Sequence, residues 1–231
     1  MTEMVYPLSD VRAQDPSLSG SKGASLARMT QIGIPVPGGF IVSTRIFEES
    51  QNGIAEVLDE LKNLSNPGSE VFEAVCEQAR NAILDTALTE QAVDKISEAY
   101  RSMGSLPVSV RSSSTAEDLA QASFAGQYDT FLNVCSLEDV LTSLQRVWAS
   151  LYSPHAIAYR RQNKIDEEKV AMAAIVQEQL MPESSGVLFT RDPLTGENHF
   201  IISATLGLGE GVVAGSTNTD RFTLEPETGK V

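Results

Sequence analysis

Histidine and cysteine are scarce in this chain. Its 231 residues contain two of each, His155, His199, Cys76 and Cys135, and one tryptophan. Two histidines exclude a multi-histidine metal centre within the chain. Two widely separated cysteines supply neither a disulfide framework nor a thiolate zinc site, and they read as buried free thiols. Basic residues are also few: 17 Lys and Arg stand against 31 Asp and Glu, a net charge of −14. That balance argues against non-specific nucleic-acid binding, which needs clustered cations. It leaves room for a small anion in a locally basic pocket. No run approaches the roughly 20 apolar residues of a membrane span. Residues 1–10 lack the pattern of a secretion signal, so a cytoplasmic location is expected. With 42% hydrophobic and 21% charged residues, the bulk of the chain is neither disordered, collagenous nor coiled coil. The length suits one large domain or two lobes.

The generic nucleotide and hydrolase motifs are missing too. No Walker A sequence occurs, the Gly207-Leu208-Gly209-Glu210-Gly211 run lacks the third spacing of a dinucleotide fingerprint, and no Gly-x-Ser-x-Gly elbow is present.

What is present is a mixture of helix and strand patterns. Residues 20–33 read as a loop entering a helix, with Leu26, Met29 and Ile32 at helical spacing and Gly33 as terminator. Residues 34–42 read as a rigid turn and a short buried strand. Residues 44–104 are mostly helical, broken at Asn66-Pro67-Gly68 and recapped at Thr89. Beyond Leu106-Pro107 the character changes. Val108, Ser109 and Val110 suggest a strand, residues 111–118 a polar loop, and residues 124–134 more strand. Ser136 with Asp139 predicts a capped helix whose apolar stripe is Leu137, Val140, Leu141, Leu144, Val147 and Trp148. Ser153-Pro154 starts another. Residues 170–176 predict a buried strand, residues 186–203 a hairpin around Asp192-Pro193-Leu194-Thr195-Gly196, and residues 207–215 a glycine-rich loop. The expected architecture is α+β in two lobes, residues 1–105 with a helical subdomain and residues 106–231 rich in strands.

Isolated cations beside small residues are the candidates for chemistry. Lys22, between Ser21 and Gly23 at a helix start, is either a solvated surface residue or a phosphate ligand beside open backbone N–H groups. Arg111 directly follows an apolar strand. Its fork of donors suits phosphate oxygens, or an ion pair with Glu117 or Asp118. Gly126, in Ser123-Phe124-Ala125-Gly126-Gln127, could belong to a flap that approaches a ligand closely, or to a plain turn. Gln177, Glu178, Gln179 and Leu180 end a buried strand, whose edge could pair with an adenine ring or simply emerge into solvent. Glu210 and Asp220 could touch ribose or a cation, but loop carboxylates are mostly solvated. His155 and His199 read as structural or surface residues.

Taken together and in order, the segments GSKGASLARM, IPVPGGF, VSVRSSSTAEDLAQASFAGQYDTFLNV, WASLYSPHAIAYR, VQEQLMPESSGVLFTRDPLTG and GLGEGVVAGSTNTDRF resemble the N-terminal nucleotide-binding domain shared by phosphoenolpyruvate synthase, pyruvate phosphate dikinase and rifampicin phosphotransferase. The resemblance covers nearly the whole chain. It implies an ATP-grasp-like fold with ATP between two lobes. It implies that Lys22 and Arg111 contact the phosphates and act in catalysis. Gly126 would belong to the phosphate-covering loop, Thr130 would line the site, and Gln177 would read adenine beside Glu178 and Leu180. Positioning and electrostatic stabilisation are what phosphoryl transfer chiefly requires.

In such proteins ATP passes its β,γ-phosphates to a carrier histidine in a separate domain, and an acceptor-binding domain completes the reaction. Neither His155 nor His199 lies in a carrier motif, and no Asp-Ile-Glu-Trp-like segment for Mg²⁺ is present. The resemblance therefore implies a nucleotide domain shortened at its C-terminal end, with the main Mg²⁺ ligands, carrier domain and acceptor domain outside this chain. The expected function is the ATP-binding part of a phosphoenolpyruvate synthase-like dikinase. The alternatives are the ATP-binding domain of a rifampicin phosphotransferase, a non-catalytic nucleotide-binding or partner-docking module, or an unrelated α+β protein.

Overall fold

The computed structural model describes residues 4–51, 54–64, 66–116 and 128–230. The chain divides into two compact units, residues 1–179 and 180–231. The expected change at 105/106 falls inside the first unit, because strands from both sides of it share one sheet.

That sheet contains β1 (Val5–Pro7), β2 (Gly39–Val42), β3 (Val108–Ser114), β4 (Thr130–Val134) and β5 (Met172–Glu178). Its spatial order is β1-β2-β5-β3-β4, with every pairing antiparallel. Helices α1 (Pro16–Gln31), α2 (Thr44–Gln51), α3 (Ala55–Asn63), α4 (Glu70–Asp85), α5 (Glu90–Ser102), α6 (Leu137–Ser150) and α7 (Pro154–Gln162) surround it.

The period-2 geometry of strands sorts side chains onto two faces. Phe40, Val42, Val108, Val110, Met172, Ala174 and Val176 face the main core, where they meet buried residues of α2 to α7. Trp148 and Phe47 lie within it, ring centroids 6.3 Å apart. Ile41, Ala173 and Ile175 face the other way and pack with Tyr6, Leu8, Ala13 and Ala27 beneath α1. β5 is central and covered on both faces, so its apolar run needs no alternation.

Helix punctuation follows local chemistry. The Thr89, Ser136 and Ser153 hydroxyls accept the backbone N–H of Ala92, Asp139 and Ala156, each satisfying one orphan donor of a first turn. Gly33, at φ +80°, ends α1. The Ile34 N–H reaches the Met29 carbonyl and the Gly33 N–H the Thr30 carbonyl, a Schellman arrangement.

Three local expectations change. Residues 111–114 are strand rather than loop, because β5 pairs with β3 as far as Ser114↔Met172. Ser112, Ser113 and Ser114 are buried, which small hydroxyl side chains permit. Second, of Leu26, Met29 and Ile32, the half-buried Leu26 packs against the cluster beneath α1. The helix buries Ser19, Gly20, Ser21, Gly23, Ala24 and Ala27, and Ile32 is exposed, because close approach to the sheet selects small residues. Third, the glycine-rich run at 207–215 contains a short helix, α8 (Glu210–Ala214), closed by Gly215 at φ +66°.

The second unit holds the antiparallel sheet β6-β7-β8, formed by β6 (Ser184–Phe189), β7 (Phe200–Leu206) and β8 (Asp220–Leu224). The hairpin tip is tied by Asp192, whose Oδ1 accepts the Leu194 N–H at 2.8 Å and the Thr195 N–H at 3.3 Å. These backbone bonds hold its carboxyl below the usual range.

Candidate functional site

The site is built from a break in a helix. Gly20 interrupts α1 at φ 64°, ψ 174°, a region open essentially to glycine alone. A Cβ here would lie 2.0 Å from the Ser113 carbonyl oxygen, so glycine is required by contact as well as by torsion. The helix resumes with Ser21, Lys22 and Gly23. The Gly23 N–H donates to Ser113 Oγ at 2.9 Å, and that hydroxyl donates to the Ser19 carbonyl at 2.6 Å. Ser113 thus caps the restarted helix and holds the chain on the far side of the break. Exposed Lys22 stands in the turn so fixed.

Arg111 lies two residues before Ser113 on β3, on the α1 side of the sheet. Its half-buried side chain donates from Nη1 to Gln177 Oε1 at 3.3 Å. The residues are diagonal neighbours, since Ser109 pairs with Gln177 and Arg111 with Ile175. The Gln177 side chain, 4% exposed, donates onward from Nε2 to the Pro37 carbonyl at 3.0 Å. Gly39 lies opposite Gln177 in β2, where a Cβ would meet the Val176 carbonyl oxygen at 2.5 Å. Thr130, exposed on β4, pairs with Arg111 and so shares its face.

The structure therefore joins Arg111 directly to Gln177, sets Thr130 beside Arg111, and carries Lys22 on the helix covering the same face. The expected free strand edge at the end of β5 is corrected. β5 lies between β2 and β3, the Glu178 N–H donates to Gly38 at 2.8 Å, and the Gln179 N–H donates to Pro107 at 2.9 Å. Glu178 is half-buried, and a Cβ on Gly38 would lie 3.9 Å from its Oε2. Gly126, Glu117 and Asp118 lie outside the described residues, and so do the flap reading and the expected ion pair of Arg111. Leu180 opens the second unit and is exposed. Glu210 and Asp220 belong to that unit as well.

The two cysteines separate. Cys76 is buried in the main core, and burial pushes its thiol up to about 11. Cys135 is exposed, which corrects the reading of both as buried: it lies between an edge strand and a helix cap.

Sequence reasoning singled out neither Ser113, Gly20, Pro37 nor Gly39. The available signal was the pair Gly20 and Gly23 flanking Lys22, a spacing at which a helix can approach a strand closely. The donors gathered on this face are an ammonium, a guanidinium, an amide and a hydroxyl. They suit the oxygens of an anion and not a divalent cation, and among the described residues no three His, Cys, Asp or Glu side chains converge as a metal site. No helix among the described residues is long and apolar enough to cross a membrane.

Residues 16–231 match the pyruvate phosphate dikinase AMP/ATP-binding domain, and the chain belongs to that family. It is 39% identical over its whole length to a probable phosphoenolpyruvate synthase of Methanothermobacter thermautotrophicus. Over 90% of its length it is 40% identical to the phosphoenolpyruvate synthase of Aeropyrum pernix. Over 94% it is 38% identical to a rifampicin phosphotransferase of Streptomyces sviceus. The chain spans 35%, 27% and 26% of those three proteins, respectively.

Proposed function

We propose that this chain is the ATP-binding portion of a phosphoenolpyruvate synthase-like dikinase with an ATP-grasp-like fold. Lys22 and Arg111 hold phosphate oxygens on the α1 side of the five-stranded sheet, with Thr130 beside Arg111. Gln177 and Glu178 lie toward the base. The observation that carries the reading is the Arg111–Gln177–Pro37 chain of hydrogen bonds alongside a helix turn bearing Lys22.

The chemistry asked of these residues is placement. A guanidinium held in place by an amide need not reorganise when charge develops on the phosphates. An ammonium supplies a second positive charge. In the proposed reaction the Pα–O–Pβ link breaks and a nitrogen–phosphorus bond forms on a carrier histidine outside this chain, leaving AMP. Mg²⁺ would accompany the nucleotide, with its main protein ligands also outside the chain. The carrier and acceptor-binding domains are the proposed partners, in a cytoplasmic setting.

The test is calorimetric titration of ATP into this chain and into a Lys22→Ala/Arg111→Ala double variant. Saturable binding by the unmodified chain, weakened at least tenfold in the variant, is the expected result. Equal affinity in both would overturn the assignment of these two residues, and an unmodified chain that ignores ATP would overturn the nucleotide reading.

A further inference from the structure

A second basic feature lies in the helical layer, away from α1. Arg160 of α7 is 2% exposed, and its Nε and Nη1 have no hydrogen-bond partner among the described residues. Its neighbour Arg161 shows what a satisfied guanidinium looks like here. That side chain donates to Glu167 Oε1 at 2.8 Å and to the carbonyls of Leu61 and Leu64 at the end of α3, and it stacks on Phe72.

Arg160 lines a recess of about 290 Å³ together with Gln51, Leu61, Lys62, Tyr152 and Glu167. Among the described residues no carboxylate forms an ion pair with Arg160. Glu167 is engaged by Arg161. The Tyr152 hydroxyl accepts from Gln51 Nε2, and burial pushes its phenol up to about 12, so it stays neutral. Lys62 adds positive charge, its Nζ lying 3.6 Å from Asp59 Oδ1. A guanidinium withdrawn from water is tolerated when an opposite charge and hydrogen-bond acceptors accompany it. One water occupies roughly 30 Å³ of liquid volume, so the recess has room for a tetrahedral oxyanion and several waters.

We infer that this recess is a binding site for a small phosphate-class oxyanion, with Arg160 as its principal ligand and Lys62 at its rim. The ligand is free phosphate or the phosphate group of a small metabolite, and it supplies the acceptor oxygens that Arg160 Nε and Nη1 do not find among the described residues. The site is built by α2, α3, α7 and the segments after α6 and α7, and it does not depend on Lys22 or Arg111.

Inorganic phosphate is the probe, titrated at constant ionic strength into the Lys22→Ala/Arg111→Ala chain so that the α1 face does not compete. Saturable binding should appear, accompanied by a rise in melting temperature that sodium chloride does not reproduce. Arg160→Met on the same background should weaken it at least tenfold, and Lys62→Ala several-fold. Arg160→Met alone should leave ATP affinity within twofold of the unmodified chain. Absence of saturable phosphate binding, or binding undiminished by Arg160→Met, would overturn the inference. If Arg160→Met does not fold, the ¹⁵Nε resonance of Arg160 in the background chain decides: a saturable shift with phosphate supports the site, and an unmoved resonance removes it. Replacing the free phosphate by glucose 6-phosphate separates the two sources. Tighter binding of the sugar phosphate identifies a metabolite site, and weaker binding a site for the free ion.

Discussion

Ser113 and Gly23, 90 positions apart, are joined by a buried hydrogen bond of 2.9 Å from the Gly23 N–H to the Ser113 hydroxyl. The same hydroxyl reaches the Ser19 carbonyl, so one side chain on β3 satisfies the backbone on both sides of the α1 break. A helix that starts inside a packed layer has no water to cap it. The cap therefore comes from the sheet, and it ties the position of Lys22 to the strand that carries Arg111.

Ser113→Ala removes that cap and leaves a buried donor and a buried acceptor without a partner. Each such loss costs about 1–3 kcal/mol. Urea denaturation should show a lowered midpoint at unchanged slope, with a loss of about 2 kcal/mol or more. ATP affinity should fall as well, because the turn carrying Lys22 is no longer held. A variant with unaltered midpoint would show that the hydroxyl does not support the break.

Two glycines with positive φ should respond differently to alanine. Gly20→Ala places a methyl group 2.0 Å from the Ser113 carbonyl oxygen in a backbone region almost closed to other residues. The expected loss exceeds about 3 kcal/mol, enough to compromise soluble expression. Gly33 also has positive φ but faces open space, so Gly33→Ala should cost only about 1 kcal/mol. Thermal melts of the pair test the contrast, and similar melting temperatures would contradict it.

Gln177→Glu keeps size and changes charge. The carboxylate can still accept from Arg111, but it loses the donor that now reaches Pro37 at 3.0 Å and offsets the positive charge meant for phosphate. A loss of about 1.4 kcal/mol is tenfold in affinity. ATP binding at pH 7 should weaken at least that much while the chain stays folded by circular dichroism. Unchanged affinity would separate Gln177 from the anion site.

The thiols should differ in reactivity. Thiolate is the nucleophile, and Cys76 combines burial with a thiol pushed up to about 11. At pH 8 a disulfide-exchange reagent should modify one thiol per folded chain, at Cys135, and two in denaturant. Cys135→Ser should abolish the reaction of the folded chain near neutral pH. Rapid modification of Cys76 in the native protein would contradict the packing around α4.

The helix boundaries at Thr89, Ser136, Ser153 and Gly33 were legible in the sequence, because a cap and its partner lie within one helical turn. The apolar character of β5 was equally plain. Its central place in the sheet was not. A run such as Met172 to Val176 looks the same at an edge or in the middle, and only pairing with β2 on one side and β3 on the other consumed the N–H groups expected to meet adenine. Lys22 and Arg111 stood out as cations among small residues. The serines after Arg111 suggested a loop, because serine favours turns in isolation, whereas here neighbouring strands bury them.

Composition, capping signals and the ordered segments shared with a known family are properties of the chain read along its length, and these determined the α+β class and the nucleotide-binding family. The joining of Arg111 to Gln177, the dependence of the Lys22 turn on Ser113 and the unpartnered N–H groups of Arg160 were decided by the tertiary structure alone. Each rests on groups far apart in sequence whose contact exists only after the chain has closed, in an interior where an unpaired polar atom is costly and so reports its partner or the lack of one.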